Sequence, residues 1–390
     1  PTGEPHMTSS ALTRPGQRGR LSEKLAEIDW RLTAALCIIA GLGGAILYSA
    51  AGNSWGPWAD KHLIRFGLCL ILMLGLSLVD LRVWFALAYP TYGVGLLLLL
   101  AVMVVGRHHL GAARWLQYGP VQIQPSEIMK IGMVLALARY YHGINASEAR
   151  FSWKLLVPVV LIGAPTLLVA KQPDLGTGLL LAFTGAAVMF LAGLSWRVLV
   201  AGVVLVCASV PPFVLFIMKG YQRDRILTFL HPEQDPSGAG YHILQSKIAL
   251  GSGGLLGKGF GLGTQSQLNF LPEKHTDFIF STFAEEFGLV GCAGLLLIYA
   301  IAFGIALRVA SLSHSHFGRL SAAGVTFTFA LYVLINAAMV MGLTPIVGVP
   351  MPLMSYGGTV MLTVMVGFGL VQAVRVHRYE EMPSGRGTLF

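Results

Sequence analysis

Residues 32–51 read LTAALCIIAGLGGAILYSAA, from Leu32 to Ala51 without a formal charge. About 20 apolar residues in a helix span the hydrocarbon core of a bilayer. The run is too long for the core of a signal peptide, and no cleavage site follows it, so it reads as a retained first span. Comparable runs recur along the chain, at about 62–79, 83–105, 126–141, 155–170, 176–194, 197–217, 278–307, 321–342 and 357–376. The expected fold is therefore an all-α integral membrane protein with ten transmembrane helices.

Composition supports this. Of 390 residues, 55% are hydrophobic and 12% charged, where a soluble domain carries about 25% charged residues. Mean hydropathy is +0.68. These values exclude a soluble enzyme, a disordered chain and a nucleic-acid binder on a membrane anchor. The net charge of +9 follows from the basic loops that helical membrane proteins keep on the cytoplasmic side. Cys37, Cys69, Cys207 and Cys292 lie in apolar runs without CxxC spacing, so they read as packing thiols.

Residues 1–7 read as an expression scar, 8–31 as a cytoplasmic tail, 32–376 as the ten-span domain and 377–390 as a second cytoplasmic tail. With the N-terminus inside, fifteen Lys and Arg fall in short loops on the cytoplasmic side and six on the other, which supports both termini being cytoplasmic. The connection 218–277, between spans seven and eight, is too long for a plain connector. Its apolar stretches, such as Ile243, Leu244, Ile248 and Leu250, predict short interfacial helices on the extracytoplasmic side.

Ionisable residues at membrane depth are costly and mark sites of function. Arg114 stands beside Trp115, as an interfacial anchor or a fork for phosphate. Pro125 and Ser126 open a helix on which Glu127 and Lys130 share a face at i, i+3, forming a local ion pair or placing Lys130 in a polar cavity. Asp174 either caps the sixth helix or reaches that cavity. Seven glycines between 251 and 263 surround Lys258; the stretch lacks the Gly-Lys-Ser/Thr ending of a nucleotide loop. Glu273, His275, Thr276 and Asp277 immediately precede a long apolar helix that carries Glu285 and Glu286. One of those two glutamates is expected to pair with a buried cation, Lys130 being the first candidate. Residues 344–358 hold three prolines and several glycines and cannot form a continuous helix. Irregular backbone at membrane depth must line a cavity or be buried in protein, so this stretch, with Ser355, is expected to wall the site.

The runs Gly263–Phe280, Gln124–Glu127, Lys171–Thr177 and Ser355–Gly358 resemble the SEDS family (shape, elongation, division, sporulation), and the Gly-Thr-Gln-Ser-Gln entry at 263–267 is closer to its RodA branch than to its FtsW branch. The resemblance covers about Asp29 to Arg378. It implies a peptidoglycan glycosyltransferase of the bacterial inner membrane that polymerises lipid II on the outer face during cell elongation. It also implies a class B penicillin-binding protein transpeptidase as partner, within a set of elongation-complex membrane proteins, and Asp277 as the essential acid. On this reading Asp277 is the general base. Arg114, Lys130, Asp174, Lys258, Glu273, His275, Thr276 and Ser355 are the expected substrate contacts, and Glu127, Glu285 and Glu286 shape the cavity. A divalent cation, Mg²⁺ or Mn²⁺, could bridge the pyrophosphate through Asp174 or Asp277, although no ligand constellation demands one. A lipid II flippase and a non-catalytic scaffold are the competing readings; the concentration of charge on the outer side favours the enzyme.

Overall fold

The computed structural model describes residues 21–105, 107–109, 112–118, 121–144, 153–172, 174–202, 204, 208, 228–229, 231, 238–268, 270–271, 273–380 and 382. Short α1 (Leu21–Glu27) leads into α2 (Trp30–Ala50), α3 (Ala59–Ser77) and α4 (Leu81–Val105). Then come α5 (Pro125–His142), α6 (Leu156–Lys171) and α7 (Leu175–Leu191). Next are α8 (Ala239–Ser252), the single turn α9 (Thr264–Gln267), α10 (Ile279–Leu312), α11 (His316–Val340) and α12 (Gly358–Val376).

Helices stand at every expected span except the seventh, of which only the opening turns are described, and these are helical. The expected scar, most of the N-terminal tail, residues 209–217 of the seventh span, 218–227 and 232–237 of the loop and the last eight residues lie outside the described residues. Among the described residues, six helices are long and apolar enough to cross a membrane, and α7 is a shorter apolar helix. The chain is a multi-pass membrane protein. Its outer helices present leucines to the bilayer, Leu97 at 67% and Leu167 at 66% exposure. Such surface would be untenable in water over so large an area.

Helix α5 does not reach that apolar standard, and the packing explains why. It is surrounded by protein, with contacts to α4, α6, α7 and α11. Met129, Met133, Val134 and Ala136 are fully buried, and so are Glu127 and Lys130. A helix that never meets lipid can carry charge if the charge is paired. Pro125 at its first position needs no hydrogen-bond acceptor and has its φ already set for a helix. Helix α11 is the other central element, packed on α5, α7, α10 and α12. The start of α2 and the end of α12 are joined by an amide clasp: the Asp29 N–H donates to Gln372 Oε1 at 2.9 Å, and Gln372 Nε2 donates back to the Asp29 carbonyl at 2.9 Å. The Asp29 carboxylate meanwhile caps α2 through the Leu32 N–H.

One element is not helical. The connection between α4 and α5 forms a small antiparallel sheet of β1 (Arg107–His109), β2 (Ala112–Tyr118) and β3 (Val121–Ile123), in that order. Arg107 pairs with Trp115 and Leu116 with Ile123. Two of the three strands have only three residues, too few for alternation to show in the sequence.

Candidate active site

The stretch 273–278 is a tight turn at the mouth of α10. Glu273 takes a positive φ of 49° there, and the Thr276 and Phe278 N–H groups fold back to its carbonyl at 3.0 and 3.3 Å. Three consecutive carbonyls of the turn are then held from outside it. The Tyr356 N–H donates to His275 O at 2.8 Å. The Ser355 hydroxyl donates to Thr276 O at 2.6 Å. Asn336 Nδ2, on α11, donates to Asp277 O at 2.9 Å and to Val349 O at 2.7 Å. Ser355 also accepts from the Met351 N–H at 2.8 Å. The irregular 344–357 stretch thus walls the turn, as its prolines and glycines led one to expect. Gly348 lies against the Asp277 carboxylate: a Cβ there would sit 3.5 Å from Oδ2. Asp277 itself is half-buried.

Beside the turn runs a ladder of rings and cations. His275 stacks on Trp58 with centroids 4.4 Å apart and planes 6° from parallel. Lys274 Nζ lies 6.0 Å from the Trp58 ring on one side. Tyr356 lies 6.1 Å from His275 on the other, and the Arg65 guanidinium sits 4.8 Å from the Tyr356 ring. Burial holds the His275 imidazolium below the usual histidine range; Glu273 pulls it up and Lys274 pushes it further down. Burial lowers the Lys274 ammonium as well. Trp58 and Arg65 were not singled out from sequence. Their only sequence signal is a tryptophan and an arginine near the outer end of α3, which interfacial anchoring explains equally well.

One helical turn along α11 from Asn336 stands Tyr332, and it defines a second layer. Its hydroxyl donates to Glu127 at 2.9 and 3.1 Å. Lys130 Nζ donates to Glu127 Oε1 at 2.6 Å and also contacts the Tyr332 hydroxyl. Glu127, Lys130 and Tyr332 are 4%, 2% and 1% exposed. The local ion pair at i, i+3 is present, whereas the expected pairing of Lys130 with Glu285 or Glu286 does not form. Lys130 is one turn from Glu127 on its own helix, and its charge is met there.

Glu285 pairs instead with Lys258, at 2.7 Å. Its carboxylate also accepts from the Thr264 hydroxyl and the Gln265 N–H, at 3.0 and 3.1 Å. This arrangement explains the glycine-rich stretch. Gly288 has φ 65° and ψ −164°, so α10 breaks there. In an unbroken helix the carbonyls of Glu285 and Glu286 would bond the N–H groups of Leu289 and Val290. Here the loop inserts. The Lys258 and Gly259 N–H groups take those two carbonyls, each at 3.0 Å. The Leu289 and Val290 N–H groups bond Gly254 O and Leu255 O at 3.0 and 3.1 Å. Four backbone groups orphaned by the break are satisfied by the loop, which is what broken helices at membrane depth require. Only glycine permits the approach: a Cβ on Gly257 would lie 2.1 Å from Glu286 O. Glu286 reaches the first span, where Ser49 donates to it.

Of the other expected contacts, Asp174 caps α7 by accepting from the Thr177 N–H at 3.2 Å. Glu273 accepts from the Thr276 hydroxyl at 2.9 Å. Arg114 stands on β2, with its side chain outside the described residues. Among the described residues no three His, Cys, Asp or Glu side chains gather to hold a metal ion. The Mg²⁺ or Mn²⁺ bridge therefore finds no ready-made ligand set among the described residues.

Residues 31–380 match the model of the FtsW/RodA/SpoVE cell cycle proteins. The peptidoglycan glycosyltransferase MrdB of Escherichia coli K12 is 46% identical over 90% of this chain and 94% of its own length. The probable peptidoglycan glycosyltransferase FtsW of Trichlorobacter lovleyi is 34% identical over 89% of this chain and 93% of its own. Among solved structures, a chain of a peptidoglycan synthase complex that coordinates polymerization and crosslinking superposes with a TM-score of 0.78 at 34% identity, covering 91% of this chain and 99% of that one. The rod shape determining protein RodA of Thermus thermophilus gives 0.69 at 32% identity, covering 91% and 98%. With its sequence matched nearly end to end and its fold shared with these structures, the chain belongs to the FtsW/RodA/SpoVE family.

Proposed function

We propose that this chain, a peptidoglycan glycosyltransferase by family, polymerises lipid II with Asp277 as its general base. The observation that carries the assignment is the fixing of three successive carbonyls, His275, Thr276 and Asp277, by Tyr356, Ser355 and Asn336. A half-exposed carboxylate on so constrained a turn has the positional precision that proton abstraction demands.

The reaction joins the 4-hydroxyl of one lipid-linked disaccharide to the anomeric carbon of another. As the new C–O bond forms, the hydroxyl proton passes to the Asp277 carboxylate. The bond from the anomeric carbon to the pyrophosphate oxygen breaks, and the polyprenyl pyrophosphate leaves with the electron pair. An α-linked pyrophosphate becomes a β-1,4 bond in one displacement, so a single base suffices and a closely spaced carboxylate pair is not needed. The leaving pyrophosphate calls for cations. Lys130 and Lys258 are committed to Glu127 and Glu285, and their proposed part is to hold the scaffold under the turn. Arg65, at the Tyr356 end of the ring ladder, joins Arg114 as a candidate, whereas the buried Lys274 already donates to the Ser266 carbonyl.

The site is proposed to face the outside of the bacterial inner membrane, with both termini cytoplasmic. A class B penicillin-binding protein is the proposed partner, supported by the likeness to a chain of a peptidoglycan synthase complex; other elongation-complex membrane proteins are proposed as partners from the family resemblance alone. The test is glycan-chain formation from purified lipid II with and without the transpeptidase. Polymer supports the reading. No polymer under either condition, with lipid II moved across a vesicle membrane, would establish the flippase reading instead.

A further inference from the structure

At the far end of the bundle from Asp277 the structure holds a second polar feature. Arg308 lies 29 residues along α10 from Ile279, on the order of 40 Å at 1.5 Å per residue. There a cavity of about 400 Å³ is lined by Arg31, Arg308 and Arg375, from α2, α10 and α12, together with Asp29, Trp30 and Ile305. Three cations meet one carboxylate, and that carboxylate already caps α2. Among the described residues none of the three guanidinium groups forms an ion pair. The Nε of Arg375 is buried and has no hydrogen-bond partner. A buried charged donor left unmet is costly, and a ligand oxygen would meet it. The general excess of basic residues on one side of a membrane explains arginines at this end. It does not explain three of them on one cavity with a donor left over.

The surroundings indicate what the ligand carries. Ile38 lies seven residues from Arg31 on α2, and Ile301 seven residues from Arg308 on α10; at that spacing each isoleucine shares its arginine's face. Ile38 is 52% and Ile301 50% exposed, and Trp30 at the rim is 52% exposed. Apolar, lipid-facing surface therefore runs from the cations into the membrane, with an aromatic at the boundary. We propose that this cavity binds the phosphate headgroup of an anionic phospholipid, with the acyl chains lying along the Ile38 and Ile301 faces. Basic pockets between transmembrane helices are suited to such headgroups.

The test is native mass spectrometry of the full-length protein in detergent, titrated with dioleoyl phosphatidylglycerol or dioleoyl phosphatidylcholine. Phosphatidylglycerol should be retained at least tenfold better. Arg31→Gln, Arg308→Gln and Arg375→Gln should each weaken its retention about fivefold, as expected for one arginine at a lipid surface. Lys61→Gln, near the outer end of α3, should leave it unchanged. Using Arg31 and Arg308, both exposed, keeps the test decisive if the Arg375 variant fails to fold. Displacement of the lipid by inorganic phosphate would keep the anion site and assign it to a soluble phosphate. Equal retention of the two lipids by the wild type, or unchanged phosphatidylglycerol retention in the folded arginine variants, would overturn the proposal.

Discussion

Replacing Gly257 by alanine should unseat the glycine-rich loop from the break in α10. The new Cβ would lie 2.1 Å from the Glu286 carbonyl oxygen and 2.4 Å from its carbon, both backbone atoms that cannot swing aside. The residue also sits at φ 80°, a left-handed conformation that costs an L side chain about 1–2 kcal/mol. Relieving the clash means moving loop and helix apart by most of an ångström, which breaks or lengthens the four hydrogen bonds between residues 254–259 and 285–290. At about 1 kcal/mol net for each bond, the total is about 5–6 kcal/mol. Gly251 provides the comparison. It lies in the last turn of α8 in the same glycine-rich stretch, and a Cβ there meets nothing within 4 Å. Thermal unfolding of the purified variants would measure the difference. Gly257→Ala should unfold far below wild type and Gly251→Ala close to it. A Gly257→Ala protein as stable as Gly251→Ala would refute the claim that the loop is a structural plug in the broken helix.

Three further outcomes follow from the same geometry. Lys130→Met or Glu127→Gln alone should destabilise by about 3–5 kcal/mol by stranding a buried partner, and the double variant by less; denaturant unfolding of the three proteins checks this. Asn336→Ala removes the bonds to the Asp277 and Val349 carbonyls, so it should cost about 2 kcal/mol and slow polymerisation in folded protein, as read by a lipid II assay beside a melting curve. Glu380, beyond the end of α12, is pushed up to about 7, by burial first and then by its hydrogen bond to and repulsion from Asp80. A raised carboxyl pKa means that the folded state holds more protons, so stability should be fullest below the ordinary value of 4.5 and be lost as pH rises toward 7. Glu380→Gln should flatten the fall in melting temperature across that window.

Much of this was legible in the sequence because the bilayer leaves so few options. An uncharged run such as 32–51 has one economical structure in lipid, and the observed α2 departs from it by one or two residues at each end. Asp174 as a cap and Glu127–Lys130 as a local pair also depend only on neighbours in sequence, so spacing predicts them. What spacing cannot supply is the partner across the bundle. Glu285 meets Lys258 rather than Lys130 because α10 breaks at Gly288 and admits the loop. Nothing in a single glycine within an apolar run distinguishes that break from the tolerated helical glycines around it. Trp58, Arg65, Asn336 and Tyr332 were missed for the same reason: each is ordinary on its own helix and acquires a role only where α3 and α11 bring it beside residues from other helices. Two of the three strands at 107–123 are only three residues long, too short to announce themselves.

The central claim is that the turn 273–278 presents Asp277 as the base. The most direct measurement is glycan-chain formation from lipid II by wild type and Asp277→Asn, each shown to be folded by its melting curve and to bind the transpeptidase partner. A neutral amide of the same shape keeps the backbone anchors from Ser355, Tyr356 and Asn336 while removing the proton acceptor. General-base assistance is worth about 10²–10⁴-fold, so the account predicts a loss of at least two orders of magnitude at unchanged stability. Polymerisation within a few-fold of wild type by the folded, partner-bound Asp277→Asn protein would contradict it.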